Sequence, residues 1–313
     1  MELRNSRTLT WLRLATLGLL WGSGFLWVKV ALRGFTPYQI VLAQLVLGAL
    51  ILVLVTYVGR GSLPRGPAVW LHLAVAAVLA NITPYLLFAI AEKEIDSAVA
   101  GMINATTPLF TMIVAVLLRH EPRPPPIRAL GLLVGIGGTA ILLAPWMFGT
   151  QFTSWGAVAA LAASLSYAIS YVYMDRYLVS RKLSPLSLAT GQLLAASAIT
   201  LLAMPIVRAW NVPTWRLDAV LSLIALGVAS TGIAYVLNYR IITDVGASAA
   251  SVVTYFLPVT AAALGAIVLR EALTLHAIIG MVAILAGVSL ARYGVADGAR
   301  PTHQPQGRGS HSA

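Results

Sequence analysis

The sequence predicts an all-α membrane protein of ten transmembrane helices arranged as two inverted five-helix repeats. Three observations carry that expectation. Hydrophobic residues make up 59% of the 313 positions and charged ones only 10%, against about 25% charged in ordinary soluble domains. Ten stretches are long and apolar enough to cross a hydrocarbon core, which takes about 20 residues. The second half of the chain also repeats landmarks of the first at a nearly constant spacing.

The first apolar run, 11 to 32, follows Arg4, Arg7 and Arg13. Many more spans follow it and no clear cleavage site does, so it reads as a retained signal anchor. The second and third spans are placed at 37 to 58 and 67 to 91, the third carrying Asn81, Pro84 and Tyr85. The fourth, 97 to 118, has no charge from Val99 to Leu118 yet contains "INATTPLFTM", an asparagine, three threonines and a proline in one membrane-length stretch. The fifth, 127 to 147, carries the pair Gly131 and Gly135, and the sixth and seventh fall at 154 to 174 and 184 to 207. The eighth runs from 217 to 239, the ninth from 246 to 269 around Pro258, and the tenth from 274 to 293 with Gly280 and Gly287. Connections are short and often marked by Pro or Gly, so none holds a soluble domain. Residues 294–313 lack apolar content and read as a disordered cytoplasmic tail.

Charge sets the orientation. Alternate loops divide the 21 Lys and Arg into six on one side, Lys29, Arg33, Lys93, Arg208, Arg216 and Arg270, and the other fifteen opposite. Positive residues collect in the cytoplasm, so both termini are expected inside a cell (inner) membrane. The formal charge of +11 is scattered through loops rather than clustered, which speaks for topology and against nucleic acid. The chain has no cysteine, which excludes disulfides, thiolate metal sites and cysteine nucleophiles. The five histidines show no metal-ligand spacing, and no cofactor is expected.

At an offset of 150, Tyr85 meets Tyr235, Pro108 meets Pro258 and Glu121 meets Glu271, so "INATTPLFTM" lines up with "VTYFLPVTAA" at 253 to 262. At 148, Pro37 and Gln44 meet Pro185 and Gln192, and at 149, Gly131 and Gly138 meet Gly280 and Gly287. Each repeat holds five spans; an odd number makes the second copy enter from the opposite side. Inverted repeats are a transporter architecture, because two halves related by an axis in the membrane plane open a shared cavity alternately to either side.

Five-plus-five spans, "WGSGF" in the first, a Pro in the fourth and ninth, and a Glu after each with a Gly-rich helix following, resemble the EamA family of the drug/metabolite transporter (DMT) superfamily. The strongest pieces are "PLFTMIVAVLLRHE" with "GLLVGIGG" and "PVTAAALGAIVLRE" with "GMVAILAG"; in the sixth span "SLSYAISYVY" departs from the family's Trp-small opening. The resemblance covers about residues 10 to 293, with one repeat at 9–147 and the other at 152–293. It implies that spans one, three, four, six, eight and nine surround a central cavity. Polar residues sharing helix faces in those spans are the candidate lining: Ser23, Trp27, Asn81, Tyr85, Asn104, Thr107, Tyr167, Tyr171, Thr231, Tyr235, Asn238, Thr254 and Tyr255. Each of these residues also has a plainer use in helix–helix hydrogen bonding. Pro84, Pro108 and Pro258 each free a helix carbonyl and are candidate hinges.

All ten acidic residues fall at span ends, in loops or in the termini, and "EKEID" at 92 to 96 is expected to face outward. Intramembrane carboxylates mark proton relays, so the sequence points to export of small neutral or zwitterionic metabolites, amino acids foremost, without strict proton coupling. Lys29 reads as a snorkelling side chain or as a cation at the outer mouth. Arg240 and Asp244 read as a surface pair or gate element. A lipid or nucleotide-sugar translocator would call for basic residues at cavity depth. An intramembrane enzyme built on Ser23 in "WGSG" lacks a histidine base at its depth, and a sensor lacks a signalling domain. The expected partners are a small-molecule substrate and the lipid bilayer, for a monomer or a homodimer joined through a Gly-rich face.

Overall fold

The computed structural model describes residues 2–95, 97–120, 125–143, 154–206, 211–268 and 275–296. Among them the chain forms ten helical rods: α1 (Glu2–Ala31), α2 (Pro37–Val58), α3, α4, α5 (Pro126–Leu143), α6 (Trp155–Tyr177), α7 (Pro185–Ala203), α8, α9 and α10 (Leu275–Ala296). Four rods are not continuous α-helix. α3 runs Pro67–Ala77, widens to π geometry over Val78–Ile82 and resumes as Thr83–Ala91; α4 breaks between Ser97–Asn104 and Thr107–Leu117. α8 runs Leu217–Ile224, a π stretch Ala225–Ile233, then Ala234–Val245. α9 is Ala247–Ala250, a tight 3₁₀ stretch Ser251–Tyr255, then Phe256–Val268.

Six of these rods, α1, α2, α3, α6, α7 and α8, are long and apolar enough to cross a membrane, and shorter apolar stretches lie at Thr107–Leu117, Ala129–Gly138, Ala247–Thr260 and Ile278–Gly287. Exposed leucine, isoleucine and valine side chains such as Leu50, Leu54, Leu133, Leu161 and Val282 present an apolar outer surface, the inverse of a soluble protein and suited to lipid. The chain is an integral, multi-pass membrane protein. α8 continues to Val245, six residues beyond the span read from hydropathy: Arg240, Thr243 and Asp244 lower the hydropathy without breaking the helix, which ends at Gly246 with φ 79°. The expected tail begins inside α10, which reaches Ala296; the rest of it lies outside the described residues, as do Glu121 and Glu271.

Helix starts are written locally. Thr36 caps α2 in a capping box with Gln39, with Pro37 next to it, and Ser184 caps α7 with Pro185 next to it. Proline at the first helical position costs no hydrogen bond and presets φ. The two matched prolines of the repeat are therefore helix starts.

Glycines set the close approaches. α5 and α10 form the most extensive helix pair: a Cβ on Gly287 would stand 2.5 Å from the Gly135 nitrogen, and one on Gly138 would stand 2.6 Å from the Ile284 nitrogen. The Gly-rich faces of the fifth and tenth spans are thus used against each other within one chain. α1 meets α9 the same way, where a Cβ on Gly18 or Gly22 would come within 2.4 Å of Phe256 or 2.5 Å of Thr260. The principal helix pairs map onto themselves when the two halves are exchanged: α1 with α9 answers α6 with α4, and α1 with α8 answers α6 with α3.

Gly287→Ala is expected to destabilise the protein by about 1–3 kcal/mol, the usual cost of overpacking. Gly137, on α5 next to Gly138, has nothing within 4 Å of an added Cβ. Gly137→Ala should leave stability unchanged or raise it. Thermal unfolding midpoints in detergent check the pair; equal shifts would show that α5 and α10 do not pack through these glycines.

Candidate transport cavity

Pro84 has no N–H, so the carbonyls it would have met in α or π register, Ala80 and Leu79, have no donor within α3. Two other helices supply donors. The Ser166 hydroxyl of α6 bonds the Leu79 carbonyl at 2.7 Å, and the Tyr235 hydroxyl of α8 bonds the Ala80 carbonyl. The π stretch of α8 is tied to α1 instead: Trp21 Nε1 donates to the Ser230 carbonyl at 3.0 Å, and Ser230 Oγ donates to the Leu20 carbonyl at 2.8 Å.

The threonines of "INATTPLFTM" repair the break that precedes Pro108. Thr106 Oγ1 bonds the Ile103 carbonyl at 2.7 Å, Thr107 Oγ1 bonds Asn104 Oδ1 at 3.0 Å, and Thr111 Oγ1 bonds the Thr107 carbonyl at 2.8 Å. Ser164 of α6 adds a bond of 3.2 Å to the Ile103 carbonyl. In α9, before Pro258, Ser251 and Thr254 bond the Ser248 and Ser251 carbonyls, each at 2.9 Å.

These four irregular helices, with α1, α2 and α6, surround a cavity of about 90 Å³. Its walls are Trp21, Gly24, Phe25 and Val28 of α1, Gln44 of α2, Tyr85 and Phe88 of α3 with Glu92 just beyond, Asn104 of α4, Tyr167 and Tyr171 of α6, Leu226, Ser230 and Thr231 of α8, and Thr254 and Leu257 of α9. The rings are in mutual contact: Phe25 meets Phe88 edge-on at 5.6 Å, and Phe88 stacks on Tyr167 at 6.1 Å. The Tyr85 hydroxyl faces Thr231, Tyr235 and Asn81. The Tyr171 hydroxyl is buried with no hydrogen-bond partner among the described residues.

Of the residues proposed from sequence, Tyr85, Asn104, Tyr167, Tyr171, Thr231 and Thr254 lie in the wall, and seven lie outside it. Ser23 bonds its own helix at the Leu20 carbonyl, and Trp27 packs with Ala31, Phe35 and Leu223. Asn81 accepts from Gln192, which in turn accepts from Tyr239, behind the wall. Thr107 is held by Asn104, and Tyr235 by the Ala80 carbonyl. Asn238 is buried away from the cavity, and Tyr255 points to α5, where its hydroxyl bonds the Leu132 carbonyl at 2.8 Å. Pro84, Pro108 and Pro258 each sit at or near the start of the α segment that follows an irregular stretch.

The wall also holds residues not singled out from sequence, notably Trp21, Gln44, Phe88 and Glu92. Phe88 and Glu92 follow Tyr85 at spacings of three and seven, one face of one helix. That spacing was the available signal. Within "EKEID" Glu92 is 1% exposed and Ile95 2%, while Glu94 accepts the Gly156 N–H at 2.8 Å and so caps the start of α6. Glu92 stands at the end of its helix, as read from sequence, and borders the cavity there.

Lys29 Nζ donates to the Glu92 and Ile95 carbonyls at 2.9 and 3.4 Å, so it caps the end of α3. Asp244 is bonded by Arg13 at 2.6 Å and not by Arg240, which is exposed. Among the described residues no group of three or more His, Asp and Glu gathers in metal-binding range.

Comparison with known proteins adds the following. The model of the EamA-like transporter family matches residues 9–144 and again 154–293. The uncharacterized transporter YoaV of Bacillus subtilis is 24% identical over 271 residues, covering 86% of this chain and 92% of its own. The uncharacterized transporter YdfC of the same organism is 26% identical over 272 residues, 86% of each chain. The uncharacterized inner membrane transporter YedA of Escherichia coli is 25% identical over 256 residues, 80% of each chain. One crystal structure superposes with a TM-score of 0.74 at 21% identity, over 94% of this chain and 99% of that one, a likeness of fold.

The proline carbonyls make a coupled prediction. Tyr235→Phe should cost about 1–3 kcal/mol by stranding the Ala80 carbonyl. The cost should shrink in a Pro84→Ala background, where residue 84 offers an amide for one of the two carbonyls. Unfolding midpoints of the four-member cycle measure the link; strict additivity would refute it.

Proposed function

Because this chain belongs to the EamA-like transporter family, we propose that it exports small neutral or zwitterionic metabolites, amino acids foremost, by alternating access across an inner membrane. The observation that carries the reading is the cavity, lined by both halves of one chain and by all four irregular helices. A single chain is the transport unit, with one repeat at 9–147 and the other at 152–293. The halves are inverted, since each has five rods and the principal helix pairs survive their exchange. Both termini are cytoplasmic, which puts Arg13 and Asp244 at the inner end and Lys29, Arg33 and Asp218 at the outer end.

Alternating access needs two conformations of comparable free energy, each sealed on one side. α1 and α8 are clipped at both ends, by Arg13 to Asp244 and, at 3.3 Å, by Arg33 to Asp218. The cavity occupies the half nearer Lys29; the other half is filled by Leu14, Leu17, Ala234, Tyr239, Ala250 and Val253. This is the arrangement of a carrier closed at its inner end. Opening that end must break the Arg13–Asp244 pair and move α1 against α8, with the irregular stretches as hinges.

A lipid or nucleotide-sugar carrier is the second reading. Phosphate recognition calls for Arg or Lys at the site, and the wall contains neither, so the first reading is preferred.

Tyr85→Ala and Asn104→Ala should each lower proteoliposome efflux of the amino-acid pool tenfold or more while folded protein is retained. Wild-type flux in both would remove the cavity from the transport path. Asp244→Asn should favour inner opening. The chain has no cysteine, so an introduced Ala247→Cys is the sole thiol. Ala247 is buried, and its labelling from the inner side by an impermeant maleimide should speed up when Asp244→Asn is added; an unchanged rate would show that the ion pair is not a lock.

A further inference from the structure

Gln44 on α2 and Gln192 on α7 are matched positions of the repeat, and the fold treats them differently. Gln192 is fully buried and clamped: its Nε2 donates to Asn81 Oδ1 at 2.6 Å, and its Oε1 accepts from the Tyr239 hydroxyl. Both sides of that amide are thus met, one from α3 and one from α8. Gln44 is 5% exposed and stands in the cavity wall. At the offset of 150, the positions that answer the clamp of Gln192 are Thr231 for Asn81 and Ala89 for Tyr239. Alanine has no hydroxyl to donate, and the Thr231 hydroxyl faces Tyr85. What the protein supplies to Gln192 it does not supply from these positions to Gln44. A second group in the wall is in the same condition: the Tyr171 hydroxyl of α6, 2% exposed, has no hydrogen-bond partner among the described residues. Buried polar groups left unmet cost free energy that a ligand completing them recovers.

From this comparison of the two halves we propose that Gln44 and Tyr171 determine specificity, and that the group they read is an uncharged amide. The cargo N–H donates to Gln44 Oε1 and the cargo carbonyl accepts from Gln44 Nε2, the two bonds that Tyr239 and Asn81 make to Gln192. The Tyr171 hydroxyl donates to the second lone pair of the same carbonyl, and Phe25, Phe88 and Tyr167 offer rings to the apolar part. Among the described residues the wall holds no Lys, Arg or His, and its one acid, Glu92, is engaged within the protein. A cargo carboxylate would enter this low dielectric without a counter-charge, which is costly. This rests on the transporter reading and narrows its cargo from neutral and zwitterionic metabolites to uncharged amides.

Three probes of one heavy-atom shape separate the possibilities: isobutyramide is the amide, methyl isopropyl ketone keeps the carbonyl without the N–H, and isobutyrate is the anion. Titrations of the purified full chain in nanodiscs, followed by the fluorescence of Trp21 and its neighbours, should give binding about tenfold tighter for isobutyramide than for the ketone, with isobutyrate weaker than the amide. Gln44→Leu should abolish the preference for amide over ketone. Tyr171→Phe should weaken amide and ketone alike by several-fold and leave their ratio unchanged, and this keeps the test open if Gln44→Leu misfolds. Equal binding of amide and ketone by the wild type, isobutyrate binding as tightly as the amide, or wild-type affinities in Tyr171→Phe would overturn the proposal. A folded Gln44→Leu protein that keeps the preference would overturn it too. Proteoliposome flux of valine and of malonamide, a diamide too polar to leak quickly through lipid, keeps the two readings apart. Valine carried while malonamide is not would leave a transporter and defeat the amide site. Amide-selective binding with no flux of either would leave the site and defeat the transporter.

Discussion

In hydrocarbon no water rescues an unpaired backbone carbonyl, so every break in a spanning helix must be repaired by protein. Four of the ten rods break, and all four border the cavity. The repair groups come from side chains with little other reason to be inside a membrane: Ser166 and Tyr235 at α3, Thr106 and Ser164 at α4, Trp21 and Ser230 between α8 and α1, and Ser251 and Thr254 at α9. Most of these bonds run from one helix to another. The irregular geometry that opens a cavity is thus the same geometry that ties its walls together, and loosening one wall frees carbonyls that need new donors.

Around this irregular centre the periphery is regular and tightly packed. Helices without a hydrophobic drive to associate rely on close van der Waals approach, which small residues permit. α5 and α10 use Gly135, Gly138 and Gly287 in this way. α5 and α10 also contribute no residue to the cavity wall. The irregular helices hold their walls through hydrogen bonds that can be exchanged, whereas the α5–α10 seam is backbone against backbone.

The repeat, the helical rods and the Gly-rich pairing were legible in the sequence because each depends on periodicity and on landmarks whose order survives duplication. Pro84 and Pro108 were also legible as breaks, since a missing N–H acts locally whatever surrounds it. What fills the freed carbonyl was not, because Tyr235 lies in the other half of the chain and reaches Ala80 only through the fold. The same limit explains why Asn81, Thr107, Asn238 and Tyr255 share helix faces with wall residues yet stand outside the wall. A face is wider than a cavity, and neighbours such as Gln192 and Leu132 draw these side chains away. Glu92 was missed for the opposite reason: a charged, loop-like pentapeptide hides a residue that the helix carries inward.

The two copies are not equivalent where it matters most. The face of α3 that carries Tyr85, Phe88 and Glu92 corresponds, at the offset of 150, to Tyr235, Asn238 and Ile242 on α8. The second set is buried in the filled half of the molecule. Exchanging the roles of the two halves, as inversion of access requires, would line the alternate cavity with an amide and an aliphatic side chain where the present one has a ring and a carboxylate. A cargo held by the present lining would meet a different one on the other face, so its affinity would differ between the two states. A ligand shifts a conformational equilibrium only by its differential affinity for the states. In the alternating-access reading proposed above, the unequal lining of the two halves sets which end holds cargo more tightly, whereas the matching helix pairs set only that both ends can open.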